Sequence, residues 1–227
     1  MNENDIRTLY YCPKFYQFNG SKSQSKESAI LNKTYARITT LLLKNNKINT
    51  ADIFNSLVSV FSNFNLNDLL PVDKTNLLNK LNIAIHDAVS FFDFENYIPI
   101  FGPFRINTKL KNHTFTFTIN GVFRNSKTKT LHIVEFSDYP QHAIRNDYTL
   151  HAKIDEIKQL VPSHHSGRAR TYLHVFYFKN NILNQEIISS EEIRSKPPLA
   201  LSDIMTNETY FPILPCNRKC EYKKQCL

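Results

Sequence analysis

The sequence predicts a mixed α/β domain of the α+β kind. It should have N-terminal helices, a mixed central sheet with an antiparallel meander and a crossover helix, and a cysteine-ligated metal centre joining the two termini. Three observations predict it. Up to about residue 92 apolar residues recur every three or four positions, the period of a helix with one buried face. From about Asn96 the runs become short, β-branched and aromatic, with turn residues between them. The four cysteines sit at the extremes, Cys12 in YYCPKFYQF and Cys216, Cys220 and Cys226 in PCNRKCEYKKQCL. At 227 residues the chain can bury one full core. It divides into a helical sub-lobe over 27–95, an α/β core over 96–190, and a staple made from residue 12 and residues 216–226.

The elements follow in order. GSKSQSKES reads as a polar loop. From Glu27 to about Leu43, Ile30, Leu31, Tyr35, Ile38 and Leu42 share one helical stripe. A second helix starts at a Thr50 cap and carries Ile53, Phe54, Leu57, Val60 and Phe61. A third follows Pro71 and Asp73, with Leu77, Leu78, Leu81, Ala84, Ile85, Ala88, Val89 and Phe92 on one face; His86 within it reads as a packed or surface residue. IPIFGPFRINTKL, HTFTFTING and TLHIVEFS then read as strands. HTFTFTI alternates as a half-buried antiparallel strand should. RNSKTKT is a basic hairpin turn, and the more continuous TLHIVEF suits a central strand. NDYTLHAKIDEIKQLV returns to helix with Leu150, Ile154, Ile157 and Val161 inward. YLHVFYF and EIIS are strands, and the tail after Pro197 is irregular up to the cysteines.

Composition excludes several function classes. MNENDIR is polar and acidic, unlike a signal peptide, and no apolar run approaches the length that spans a bilayer. A cytoplasmic location is expected, the host cytoplasm if the source is viral. The four glycines, Gly20, Gly102, Gly121 and Gly167, are too far apart for a phosphate-cradling loop. The abundance of Asn and Lys suits an AT-rich coding sequence, as in a phage or mobile element. A net charge of +8 favours polyanionic partners, nucleic acid above all.

The cysteine frame C-x3-C-x5-C supplies three ligands, and a fourth must come from elsewhere; Cys12 is the one remaining thiol. Clustered thiols in an intracellular chain point to metal. Four thiolates suit zinc or an iron–sulfur cluster. Zinc sites usually come as two close pairs, and one distant Cys with a local trio fits a cluster better, although spacing alone leaves both open.

YYCPKFYQF resembles the YCPRKFY-type start of the iron–sulfur branch of the PD-(D/E)XK, or RecB-like, nucleases. Those include the CRISPR-adaptation exonucleases and the nuclease domain of AddB-type helicase–nucleases. That family places one Cys there and a C-x2-C-x5-C trio at its C-terminus around a [4Fe–4S] cluster. Here the first gap of the trio is one residue longer and the CPKFY segment one residue shorter. INGVFRNSKTKTLHIVEFSDYP resembles the family's GxxD, hairpin and (D/E)xK core in order and spacing. The resemblance implies a [4Fe–4S] cluster on Cys12, Cys216, Cys220 and Cys226, with zinc as the alternative.

It also implies where catalysis would sit. Phosphodiester hydrolysis needs a divalent metal to polarise phosphate and activate water, held by hard oxygen ligands. The family supplies a helix His, the Asp of GxxD and the acid of (D/E)xK, with its Lys. Aligned on Gly121, Arg124 replaces the Asp, Glu135 stands at the acid, and Ser137 replaces the Lys. The helix from Glu27 to Lys44 has no His, and the family's Gln-x3-Tyr motif is not clear downstream. Arg124 would repel a metal, so Glu135 is expected to pair with a neighbour, Arg124 being the candidate. Asp138 and Asp147 are the acids from which a migrated site would be built.

Three basic patches remain. The hairpin carries Arg124, Lys127 and Lys129. SHHSGRARTY carries Arg168, Arg170 and Tyr172 beside His164 and His165, which find no third metal ligand at helical or hairpin spacing. The cysteine segment carries Arg218, Lys219, Lys223 and Lys224. Cations bind phosphate without sequence preference, and interleaved aromatics stack on bases. The expected function is a catalytically degenerate nuclease-fold iron–sulfur protein that binds nucleic acid, DNA in the first instance, or serves in a nucleic-acid-processing complex. The alternatives are an active metal-dependent DNA exonuclease with migrated ligands, and a protein-interaction subunit with a structural zinc or iron–sulfur site.

Overall fold

The strand LHIVEFS, β5 (Leu131–Ser137), has all seven residues buried, so it must be covered on both faces. A computed structural model shows what covers it. The structure describes residues 5, 24–45, 47–92, 96–110, 113–138, 149, 150, 153, 154, 157 and 170–195.

From residue 24 onward, three helices precede the strands. α1 (Lys26–Asn45) buries the stripe Ile30, Leu31, Tyr35, Ile38 and Leu42 that its sequence presents. α2 (Thr50–Phe61) is capped by Asn49 and not by Thr50. Asn49 Oδ1 accepts from the Asp52 amide at 2.8 Å, and the Asp52 carboxylate accepts from the Asn49 amide at 3.2 Å. This reciprocal box satisfies two orphan donors of the first turn. α3 (Pro71–Ser90) starts with Pro71 in its first turn, where the missing N–H costs nothing.

Six further strands are β1 (Tyr97–Phe101), β2 (Phe104–Leu110), β3 (His113–Ile119), β4 (Val122–Asn125), β6 (Thr171–Lys179) and β7 (Ile182–Ser189), followed by the short α4 (Ser190–Ser195). The main sheet has the order β1-β4-β5-β6-β7, and β2-β3 form a separate two-stranded ribbon. All pairings are antiparallel except β5 with β6. A parallel pair needs a crossover, and Thr149, Leu150, Lys153, Ile154 and Ile157 between these strands are helical. The mixed α+β class and the central place of β5 match the sequence reading.

Two details differ. The expected meander is interrupted: β1 pairs with β4, and the β2–β3 ribbon is inserted between them. The segment between β1 and β2 is Gly102–Pro103; Pro lacks the N–H a ladder needs, so one sequence run becomes two strands in two sheets. The last strand starts at Ile182 rather than at Glu186. Asn180 and Asn181 both take positive φ, 51° and 61°, which makes the two-residue primed turn that closes a hairpin. Lys179 and Ile182 then pair across it.

Alternation along the strands divides the interior in two. Phe123, Val134, Phe136 and Phe176 face α1, α2 and α3 in one core. Val122, Leu131, Ile133, Leu173, Val175 and Ile188 face Leu150, Ile154 and Ile157 of the crossover in the other, with Ile106 and Ile119 of the ribbon. Gly121 permits the first layer to close: a Cβ there would run into the Thr39 side chain of α1.

Candidate functional site

The C-terminal end of β5 holds a polar cluster inside the apolar layers. Lys153, from the crossover, places Nζ 2.8 Å from Glu135 Oε2, with side chains 1% and 5% exposed. The expected partner, Arg124, is elsewhere. Its register partner is Leu131, four residues from Glu135 and so roughly 13 Å away along the strand. Arg124 Nε is buried without a hydrogen-bond partner among the described residues. Extending the Val122–Ile133 register by two positions brings Asn120 abreast of Glu135. Asn120 is buried and donates from Nδ2 to Asn32 Oδ1 of α1 at 2.8 Å. Asn32 also accepts from the Phe136 amide and donates to the Phe136 carbonyl, at 3.0 and 2.8 Å. Two amide side chains, Asn32 and Asn120, thus join α1 to the chain around the C-terminal end of β5. Ser137 is buried beside them at the strand end.

Asp138, one of the acids named for a migrated site, is engaged otherwise. It accepts from the Ser25 amide at 2.7 Å and from the Ser25 and Ser28 hydroxyls. A carboxylate at the N-terminus of α1 is favoured by the helix dipole and its free N–H groups. Asp147 lies outside the described residues.

Across the sheet, on the helix-facing side, His132 and His174 form a pair the sequence did not single out. Gln185 Nε2 lies 3.0 Å from His174 Nδ1, His174 Nε2 lies 2.8 Å from His132 Nδ1, and His132 Nε2 lies 2.8 Å from Thr130 Oγ1. The amide donates, which fixes the direction of the chain. Each imidazole then carries its proton on Nε2 and accepts at Nδ1. Phe92 and Tyr97 pack edge-on against His132; Phe92 packs edge-on and Phe91 tilted against His174. Burial holds His132 down at about 4. Burial, and then the neighbouring His132, hold His174 at about 3. Both are neutral near pH 7.

The opposite end of β5 gathers two of the basic patches. In the hairpin between β4 and β5, Asn125 Oδ1 accepts from the Lys127 and Thr128 amides, both at 3.0 Å, and Lys129 takes a positive φ of 60°. The turn is thus held in one shape with Lys127 and Lys129 exposed. Arg170 lies beside it, its carbonyl accepting from the Leu131 amide at 3.0 Å. The Arg170 guanidinium pairs with Glu191 at 2.8 Å, both side chains 59% exposed. Half-buried Tyr172 stacks on His132 with ring centroids 5.3 Å apart and planes at 19°.

No protein-family model matches the chain. No curated protein matches it either. Among solved structures, the crystal structure of a protein named SSO0001 aligns at a TM-score of 0.29 and 10% identity, over 88% of this chain and 87% of that one. A likeness of that strength carries no argument about fold or function.

The structure therefore brings together Lys127, Lys129, Arg170 and Tyr172, with Arg124 on the adjoining strand, and separates them from Glu135 and Ser137 by the length of β5. Cys12, Cys216, Cys220, Cys226, Arg168, Arg218, Lys219, Lys223 and Lys224 lie outside the described residues. Among the described residues no three His, Cys, Asp or Glu side chains form a metal-binding group, and no helix is long and apolar enough to cross a membrane. Sequence reasoning missed Asn32, Asn120 and Lys153. Lys153 had a signal, since it lies three positions after Leu150 on the inward stripe. Asn120 had one too: counting outward from the hairpin turn pairs it with Glu135.

Proposed function

We propose that this chain is a nuclease-fold protein without hydrolytic activity that binds nucleic acid, in the first instance DNA, by itself or within a larger complex. The observation that carries the binding is the convergence of Lys127, Lys129, Arg170 and Tyr172 at one end of β5, although the hairpin and Arg170 are some 40 residues apart. Cations on a pre-shaped turn beside a partly exposed ring form a surface suited to phosphate and base. The inert half of the reading is supported by Glu135. Its carboxylate is buried against Lys153, and Arg124 stands at the position the resemblance gives to the second acid of a metal site. The engagement of Asp138 at the start of α1 counts against migrated ligands.

Cys12, Cys216, Cys220 and Cys226 would hold the metal centre. Four thiolates are a donor set that fits a [4Fe–4S] cluster or zinc and disfavours hard cations. Bound there, the centre would act as a cross-link between the two ends of the chain.

A docking role is favoured by a separate observation. Among the described residues β7 is an edge strand of the main sheet, and Ile182 and Ile187 on it are 67% and 43% exposed. Such an edge is suited to a partner.

The interface is tested by Lys127→Gln with Lys129→Gln. DNA affinity at low salt should fall roughly tenfold, and the salt dependence should flatten by about 1.8 in log–log slope for two lost phosphate contacts. Unchanged affinity in this variant would remove the hairpin from the interface.

A further inference from the structure

Helix α1 has an outer side that the core does not use. Lys26, Lys33, Arg37 and Lys44 are all exposed. Their steps of seven, four and seven residues return to within about 20° of the same line on a helix of 3.6 residues per turn. The four cations form a straight row about 27 Å long at 1.5 Å per residue, turned away from the buried stripe.

Three of the four are held in place by neutral groups. Lys26 Nζ donates to the Asn65 carbonyl at 2.8 Å. Lys33 Nζ lies 4.6 Å above the Phe64 ring. Arg37 Nη1 donates to Ser59 Oγ at 2.8 Å. Among the described residues none of the four is paired with a carboxylate. A neutral anchor fixes a cation without cancelling its charge, whereas an ordinary solvated helix face intersperses both signs. The outer side of α1 thus presents a row of positive charge that no described carboxylate pairs, with three of its four cations held in place.

We infer that this row is a contact for the sugar–phosphate backbone of nucleic acid, engaged by charge and without sequence preference. A straight row of this length spans the rise of about eight nucleotides at ~3.4 Å per phosphate along one strand. The inference rests on the nucleic-acid reading above and adds a second surface, on a different element from the hairpin.

The test measures binding of a labelled DNA duplex by the full chain from about 50 to about 300 mM salt, where counterion release dominates. In Lys33→Gln with Arg37→Gln and Lys44→Gln, the log–log slope should become shallower by about 2.7, and in Lys44→Gln alone by about 0.9. Among the described residues Lys44 makes no anchoring contact, so its single variant separates charge from packing; its melting temperature should stay within a few degrees of the wild type, the change that losing a cation from the last turn of a helix brings. A wild-type slope in both variants overturns the inference and leaves the hairpin interface standing. A wild-type chain that binds no DNA overturns the nucleic-acid reading itself, and this contact with it. Retention on anionic phospholipid vesicles that the triple variant loses, with the DNA slope unmoved, overturns the inference in favour of a membrane surface.

Discussion

Glu135 and Lys153 show how a buried charge pair constrains a fold without being its main source of stability. Each full burial of a residue such as Ile133 or Leu173 contributes roughly 1.5–3 kcal/mol. The ion pair returns little net energy, because taking both charges out of water costs about what their attraction restores. Its effect is asymmetric. Lys153→Met takes the ammonium away from buried Glu135 and should cost about 3–5 kcal/mol. Glu135→Leu combined with Lys153→Met should recover most of that loss. Urea unfolding checks both, and a single variant as stable as wild type would show that the pair is not enclosed as described. At this scale the sequence was half legible. Glu135 stood out as an acid in an apolar strand. Its partner did not, because 18 residues separate Lys153 from it and helical phase alone does not say which strand a side chain meets.

Elements were legible where one physical period dominated. The stripes of α1 and α3, that of α2 apart from Phe54, which is exposed, and the apolar run of β5 were read correctly because burial on one face or two leaves a direct trace in sequence. What was not legible is long-range. That β1 meets β4, or that β2–β3 stand apart, follows from competition between strands far apart in the chain, and only the Gly102–Pro103 break announces it. The His132–His174 pair is of the same kind, since it exists because β5 and β6 lie side by side. It makes an element-level prediction. Both imidazoles titrate below their ordinary value of 6.5, at about 4 and about 3. The unfolded chain therefore binds protons that the folded chain does not. Stability from this source is fully present above about pH 7 and falls as pH drops from about 6.5 toward 4. Each unit of displacement is worth about 1.4 kcal/mol, so the pair should cost several kcal/mol across that window. Thermal unfolding at stepped pH should show this loss, and His132→Phe with His174→Leu should flatten it. An equal loss in the double variant would assign the acid sensitivity to other groups.

At the scale of the whole molecule three parts are joined: a sheet with a core on each face, a basic end, and cysteines near both ends of the sequence. A centre on Cys12, Cys216, Cys220 and Cys226 would close a loop of about 200 residues, worth about 5 kcal/mol of unfolded-state entropy by analogy with a disulfide. Metal binding would then be coupled to folding. Cys12→Ser should lose the metal and a large part of the stability together. Anaerobically purified protein should be brown with iron and sulfide; colourless protein with one zinc would keep the four ligands and change the metal. A Cys12→Ser chain with full metal content and an unchanged melting temperature would contradict either form. The cysteine frame was the most conspicuous feature of the sequence because thiol spacing is local. The basic interface was not, because Lys127 and Arg170 become neighbours only when β5 and β6 pair.

The central claim is binding without hydrolysis, and one measurement tests it most directly. End-labelled single- and double-stranded DNA are incubated with the metal-replete protein and Mg2+ or Mn2+, and both retention and length are read on gels. The account predicts retained DNA of unchanged length, with retention lost steeply as salt rises. Metal-dependent shortening of the DNA that disappears in Glu135→Ala would contradict it.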